Sequence, residues 1–191
     1  MKMKGIIKYL KKVRTVSFGK VKDNCVWKKC WKEFSDIQLE QLNDMEIQLA
    51  IDYLVSNINY LERYKMFGCE DLNVDIRVGD VCYIDFGCAY IQEIGYQHFG
   101  LILSIYKNKA FVVPMSSNQT EYEKAYDDKD NPNGSKHLMR FEKLKGMNKN
   151  SVLFINDAKW INTARIIDVK SHLKVDSKKF SDIMKRVKDI I

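Results

Sequence analysis

The chain has no long hydrophobic run. Its apolar runs are only a few residues long, such as Leu101 to Ile105 apart from Ser104, and fall far short of the roughly 20 residues that a transmembrane helix needs. A bilayer-spanning helix is therefore excluded, and no membrane partner is expected. The start, MKMKGIIKYLKK, is charged but lacks an apolar core of about 7 to 15 residues and a small-residue cleavage site. A cytoplasmic protein is expected. Cysteine offers no framework either: Cys25, Cys30, Cys69, Cys82 and Cys88 are odd in number and unpatterned in spacing, in a chain large enough to bury a core without staples, so reduced thiols are the default. Cys25 and Cys30 stand five apart, and no second Cys/His pair lies at metal-ligand spacing, so neither a structural metal nor a cofactor is expected. No internal repeat is visible.

What is present is the composition of one soluble domain, or of a compact domain with an extension: 191 residues, 46% hydrophobic and 30% charged. The formal net charge of +7 is unevenly placed. Residues 1–34 hold eleven basic and two acidic side chains, a sum of +9, which leaves −2 for residues 35–191. The basic character belongs to an arm. Such an arm meets a polyanion such as nucleic acid, or it is a solvated, solubilising segment, and charge alone does not separate the two.

Three zones follow from period and charge. Residues 1–34 contain two short stretches, with Trp27 and Trp31 four apart and so on one face if the segment is helical. In residues 35–67 Asn43 and Glu46 have capping-box spacing, and Ile47, Ile51, Leu54, Ile58 and Leu61 recur at steps of four and three. This predicts a helix with that stripe buried, stopped by Gly68, after a shorter helix capped by Ser35 and Gln38. From Arg77 onward short runs rich in Val, Ile, Phe and Tyr take over: Val81 to Phe86, Leu101 to Tyr106, Ala110 to Met115, Leu138 to Leu144 and Val152 to Ile155. Tyr106 to Lys109 reads as a tight hairpin turn with Asn108 at positive φ. The Asp- and Asn-rich stretch from Asn118 to Lys136 reads as an excursion or mobile loop. Asp176 is a plausible N-cap for a closing amphipathic helix carrying Phe180, Ile183, Met184, Val187 and Ile190. The predicted class is mainly β with helical additions: an extension over residues 1–75 and a β domain over 76–191.

Chemistry is expected where loops are set between rigid strands. The loop GCAYIQEIGYQHFG, Gly87 to Gly100, offers Glu93, Gln97 and His98, and the next strand delivers Pro114-Met115-Ser116-Ser117. Histidine, with an ordinary pKa of about 6.5, both accepts and donates a proton near neutrality, and the hydroxyls of Ser116 and Ser117 can bond a phosphate oxygen. The set suits phosphodiester chemistry. RNA brings its own nucleophile in the 2′-hydroxyl, so an enzyme need only deprotonate it, stabilise the charged phosphorane and protonate the leaving oxygen.

The sequence resembles the MazF/PemK-type toxins of toxin-antitoxin systems over roughly residues 76–170, at three places in order. IRVGDVCYIDFG (Ile76 to Gly87) is similar to that family's opening strand, with Gly79-Asp80-Val81 its most telling triplet. EIGYQHFGLILS (Glu93 to Ser104) is similar to its Glu-Gln-x-Gly-x-Arg-Pro segment, followed at a fitting distance by FVVPMSS (Phe111 to Ser117). SVLFINDAKWINTARIIDV (Ser151 to Val169) resembles its closing strands.

The resemblance implies an SH3-like small β-barrel with a C-terminal helix, usually a homodimer, acting as a metal-independent endoribonuclease. Single-stranded RNA and a cognate antitoxin protein are the implied partners, and the products are 2′,3′-cyclic phosphate and 5′-hydroxyl ends. It lays His98 on the family's catalytic arginine and Ser116 on its catalytic threonine, so His98 becomes the general acid or base and Ser116 holds the scissile phosphate. Serine keeps the hydroxyl. Histidine gives up a permanent charge and a bidentate fork for a proton-transfer group. Phe99 replaces the family's proline, which leaves the register open by a residue and Gln97 as the alternative occupant. Lys159 and Arg165 fall where the family is basic. Trp160 offers either a stacking face for a base or packing against the barrel, and Lys136 and Arg140 are further phosphate-contact candidates. The 75 residues before the first barrel strand have no counterpart in typical members. A different class of function fits the same residues, a non-catalytic barrel that binds protein or nucleic acid without cutting.

Overall fold

The β-branched and aromatic runs of the C-terminal two-thirds alternate between two cores, and that alternation defines the sheet. In the computed structural model, which describes residues 3–14 and 20–190, the chain divides into two units, residues 1–51 and 52–191.

The first unit is helical. Helix α1 spans Met3–Arg14 and α2 spans Cys25–Asn43, with the Asn24 side chain accepting from the Trp27 N–H at 2.9 Å. Trp27 and Trp31 do share a face, their rings stacked at 6.2 Å. Ser35 caps nothing: it lies inside α2 and its hydroxyl donates to the Trp31 carbonyl. Asn43 likewise ends α2 instead of opening the next helix. Lys2 of the basic arm lies outside the described residues.

Helix α3, Ile47–Arg63, starts in the first unit and continues into the second. Its apolar stripe is not buried. Ile47 is 76% exposed and Leu61 67%, with Ile51, Leu54 and Ile58 also exposed, whereas Ser56 is 4% exposed. The polar face is the packed one, because hydrogen bonds anchor it to the sheet: Ser56 and Asn59 donate to Asp85, and Arg63 to the carbonyls of Ala164 and Ile166. Gly68 opens a short 3-10 turn at Cys69–Leu72.

The sheet has seven strands: β1 Asp80–Asp85, β2 Gln97–Tyr106, β3 Lys109–Ser116, β4 Leu138–Phe141, β5 Ser151–Phe154, β6 Lys159–Asn162 and β7 Ile166–His172. All named pairs are antiparallel, in the order β4-β5-β3-β2-β1-β7, with β6 alongside the first half of β3 and β5 alongside its end. The class is mainly β with helical additions, as the residue pattern predicts. The sheet curls without closing, since among the described residues the terminal strands β4 and β7 do not pair. One face buries Val81, Leu101, Leu103, Val113, Met115 and Leu153 against Phe180, Ile183 and Val187 of helix α5, Lys178–Lys188. The N-cap of α5 is Ser177, one residue past the expected Asp176. The other face buries Cys82, Ile84, Ile102, Ala110, Val112, Ile161 and Ile166.

The β2–β3 turn is a two-residue hairpin, Tyr106 opposite Lys109. Its positive φ falls on Lys107, not Asn108, whose carbonyl is held by the Thr163 N–H at 2.9 Å. The excursion from Asn118 to Lys136 is structured. Asn118 caps a short helix, α4 Gln119–Lys124, and Arg140 clasps Asp130 with a forked pair of bonds at 2.8 and 2.7 Å. The five cysteines are all unpaired, and among the described residues no helix is long and apolar enough to cross a membrane.

Candidate functional site

Strand register sets the site. On β2 and β3 Phe99 faces Met115 and Gly100 faces Pro114; His98 and Ser116 are the next residues beyond that ladder, paired instead with Ile84 of β1 and Val152 of β5, and alternation puts both on one side of the sheet. That side is the one carrying Ile84, the β1 partner of His98.

The tautomer of His98 follows from its partner. Its Nδ1 lies 2.8 Å from the Gly95 carbonyl, and since a carbonyl only accepts, Nδ1 carries a proton, so in the neutral imidazole the lone pair is on Nε2. Gly95 is required there: a Cβ would stand 2.6 Å from the Ala89 Cβ and 3.0 Å from the Gly87 carbonyl oxygen. The loop is closed behind it by Phe86 N–H to Tyr96 O at 2.7 Å and Tyr96 N–H to Gly87 O at 2.6 Å. Ser116 is half-buried at the end of β3. Its Oγ accepts from the Asn118 N–H at 3.2 Å, which leaves the hydroxyl proton available to a ligand.

Gly100 completes the face. A Cβ on it would meet Ile84 at 2.9 Å and the Phe86 ring at 3.3 Å, so its absence lets the Phe86 ring lie over Gly100, two residues along β2 from His98. The Lys159 ammonium sits over that ring, 5.8 Å from its centroid, and thus joins the same side. Pairing with Val112, which is buried on that side, agrees.

The other sequence-derived candidates go elsewhere. Gln97 is committed to a polar network: its amide donates to Ser56 at 2.8 Å and to Asp85 at 3.1 Å. Glu93 caps its own loop by accepting from the Tyr90 N–H at 3.3 Å. Ser117 lines a cleft with Phe99, Met147, Lys149 and Lys170. Trp160 packs its ring against Phe111 at 5.4 Å and stays 51% exposed, and by alternation along β6 it projects away from the side of Lys159. Arg140 is occupied by Asp130, by the Tyr122 carbonyl and by the Tyr122 ring, and Lys136 lies over Tyr126 at 6.0 Å. Arg165 donates to the Asp85 carbonyl at 3.0 Å.

Sequence reasoning missed Asp85. Burial alone pushes its carboxyl up, but hydrogen bonds from Ser56, Asn59, Gln97 and the Gly87 N–H outweigh this and hold it below the usual carboxylate range. The signal that escaped notice is a lone acidic residue closing an apolar strand. Cys82 is the converse case: burial pushes its thiol up to about 12, so it is an inert core residue.

No protein-family model and no curated protein sequence matches the chain. Among solved structures it is similar to MazF (Form-I) from Deinococcus radiodurans, at 12% identity and a TM-score of 0.41, over 61% of this chain and 93% of that one. It is also similar to MazE-MazF (Form-II) from the same organism, at 12% identity and a TM-score of 0.36, over 60% of this chain and 89% of that one. At that identity and TM-score neither likeness carries a residue's role across.

Proposed function

We propose that the chain is a toxin-type endoribonuclease that cleaves single-stranded RNA without a metal, leaving 2′,3′-cyclic phosphate and 5′-hydroxyl ends. The observation that carries the reading is that His98, whose Nδ1 faces the Gly95 carbonyl, and Ser116 stand at adjoining ends of β2 and β3, each one residue beyond the Phe99–Met115 pair. His98 Nε2 takes the 2′-hydroxyl proton, the 2′-oxygen bonds phosphorus, and the bond to the 5′-oxygen breaks as that oxygen takes up a proton from solvent water. The hydroxide so formed is neutralised by the proton that His98 later releases. Ser116 donates to a non-bridging phosphate oxygen, and the Lys159 ammonium on the same side offsets the charge that builds on the phosphorane. Arg165, Lys136 and Trp160 are kept as outer RNA contacts. The resemblance of the strand segments to the MazF/PemK-type toxins adds support, and with it come a cognate antitoxin, a homodimer and a cytoplasmic location as parts of the proposal.

The test is incubation of the purified protein with a long single-stranded RNA in EDTA, with end mapping, beside His98→Ala. Discrete cuts with cyclic-phosphate ends that vanish in the variant are expected. Intact RNA would overturn the enzyme reading and favour a binding module without chemistry.

A further inference from the structure

A second site is built where α3 meets the ends of β1 and β6. The cleft, about 370 Å³, is lined by Tyr60 and Arg63 of α3, by Tyr64 just past its end, and by Asp85, Asn162 and Arg165 among others. Its two guanidiniums are held by main-chain oxygens only. Arg63 Nη1 donates to Ala164 O and Ile166 O, both at 3.2 Å, and Arg165 Nη1 to Asp85 O at 3.0 Å. Each guanidinium carries five N–H donors. Arg63 therefore keeps about three and Arg165 about four for a ligand. Among the described residues neither forms an ion pair with a carboxylate. The Asp85 carboxylate, the one acid in the lining, is already saturated by Ser56, Asn59, Gln97 and Gly87.

Beside this charge stand the exposed rings of Tyr60 and Tyr64, 5.7 Å apart. Unneutralised arginine forks match a phosphate's oxygens, and an exposed tyrosine face takes a nucleobase by stacking. We propose that this cleft binds a phosphate-bearing nucleotide, with the phosphate on Arg63 and Arg165 and the base against Tyr60. The nucleotide is either free or one unit of an RNA strand. The site takes Tyr60 and Arg63 from α3, outside the segment that resembles the toxins, and Arg165 from within it, and the binding stands whether or not His98 cuts RNA.

The experiment is calorimetric titration of the full chain with AMP, adenosine and inorganic phosphate at low salt. AMP is expected to bind at least tenfold tighter than either fragment. Arg165→Gln should weaken AMP at least tenfold with little effect on adenosine, while Arg165→Lys, which keeps the charge, loses less. Tyr60→Ala, at an exposed position that does not threaten folding, should weaken AMP and leave phosphate unchanged. AMP binding no tighter than phosphate, or unaltered in Arg165→Gln, overturns the proposal. A long RNA that displaces AMP identifies the cleft as a strand subsite, and AMP held against that RNA identifies a free-nucleotide site. Because binding is read without cleavage, an inactive enzyme that binds AMP removes only the nuclease reading, and an active one that ignores AMP removes only this site.

Discussion

At the scale of single residues, the site depends on where one proton sits. The Gly95 carbonyl fixes it on Nδ1 of His98. A bulkier residue at position 95 should thus disturb catalysis without touching a reacting group. Gly95→Ala forces the loop away from Ala89, and cleavage is expected to fall while the thermal transition stays near that of the parent. If His98 is the general base as proposed, His98→Ala should cost roughly 10²–10⁴ in rate. Ser116→Thr, which keeps the hydroxyl, should hold activity within a few fold, and Ser116→Ala should not. Rates on one defined RNA decide among these; equal rates for Ser116→Thr and Ser116→Ala would exclude the hydroxyl. His98 and Ser116 stand out in the sequence as polar groups at strand ends beside a loop bounded by Gly87 and Gly100. The acceptor that sets the tautomer does not, since a backbone carbonyl leaves no mark in the sequence.

The scale of the element is where α3 corrects the sequence. A stripe at steps of three and four reads as a buried face, yet here the opposite face is packed, held by Ser56, Asn59 and Arg63. Hydrophobic periodicity weighs apolar residues and is blind to which polar ones find partners. Strands β1 to β5 were legible because their apolar runs are bounded by turns and mostly buried on both faces; β6 and β7, half exposed along their length, show no such run and entered only through the resemblance of Ser151 to Val169. Two outcomes follow for α3. Leu61→Glu, on the exposed face, should change stability by no more than about 0.5 kcal/mol. Asn59→Ala removes a bond to a buried carboxylate and should cost about 1.5–3 kcal/mol. The pH dependence carries a sign. Asp85 has a folded pKa below its unfolded value, so its stabilising contribution is complete above the ordinary carboxylate range and is lost as pH falls through the folded value. In Asn59→Ala that folded value rises, and the acid-unfolding midpoint should move to higher pH. A midpoint that stays put would mean that the network does not set the charge of Asp85.

For the whole molecule the decisive feature is the split between a +9 arm and a −2 remainder. The negative sum of that remainder belongs to residues 35–75, which hold two basic and nine acidic side chains, while the β domain over 76–191 holds 19 basic and 14 acidic ones, +5. RNA binding can therefore draw on groups of the β unit such as Lys159 and Arg165, on the arm, or on both. The sequence alone left this open, because charge counts do not say which ions are already spent; Arg140, for example, is consumed by Asp130. Salt dependence separates the contributions. Each phosphate neutralised on a single strand adds roughly 0.7 to the slope of log affinity against log salt. Replacing Lys4, Lys8 and Lys11 of α1 by glutamine leaves the candidate site untouched. If the arm contacts RNA, the slope should fall by up to about 2 while the rate of cleavage at saturating RNA is preserved. An unchanged slope would make the arm a solvated, solubilising segment and leave RNA recognition to the β unit, where Lys159→Gln should then reduce the slope by itself.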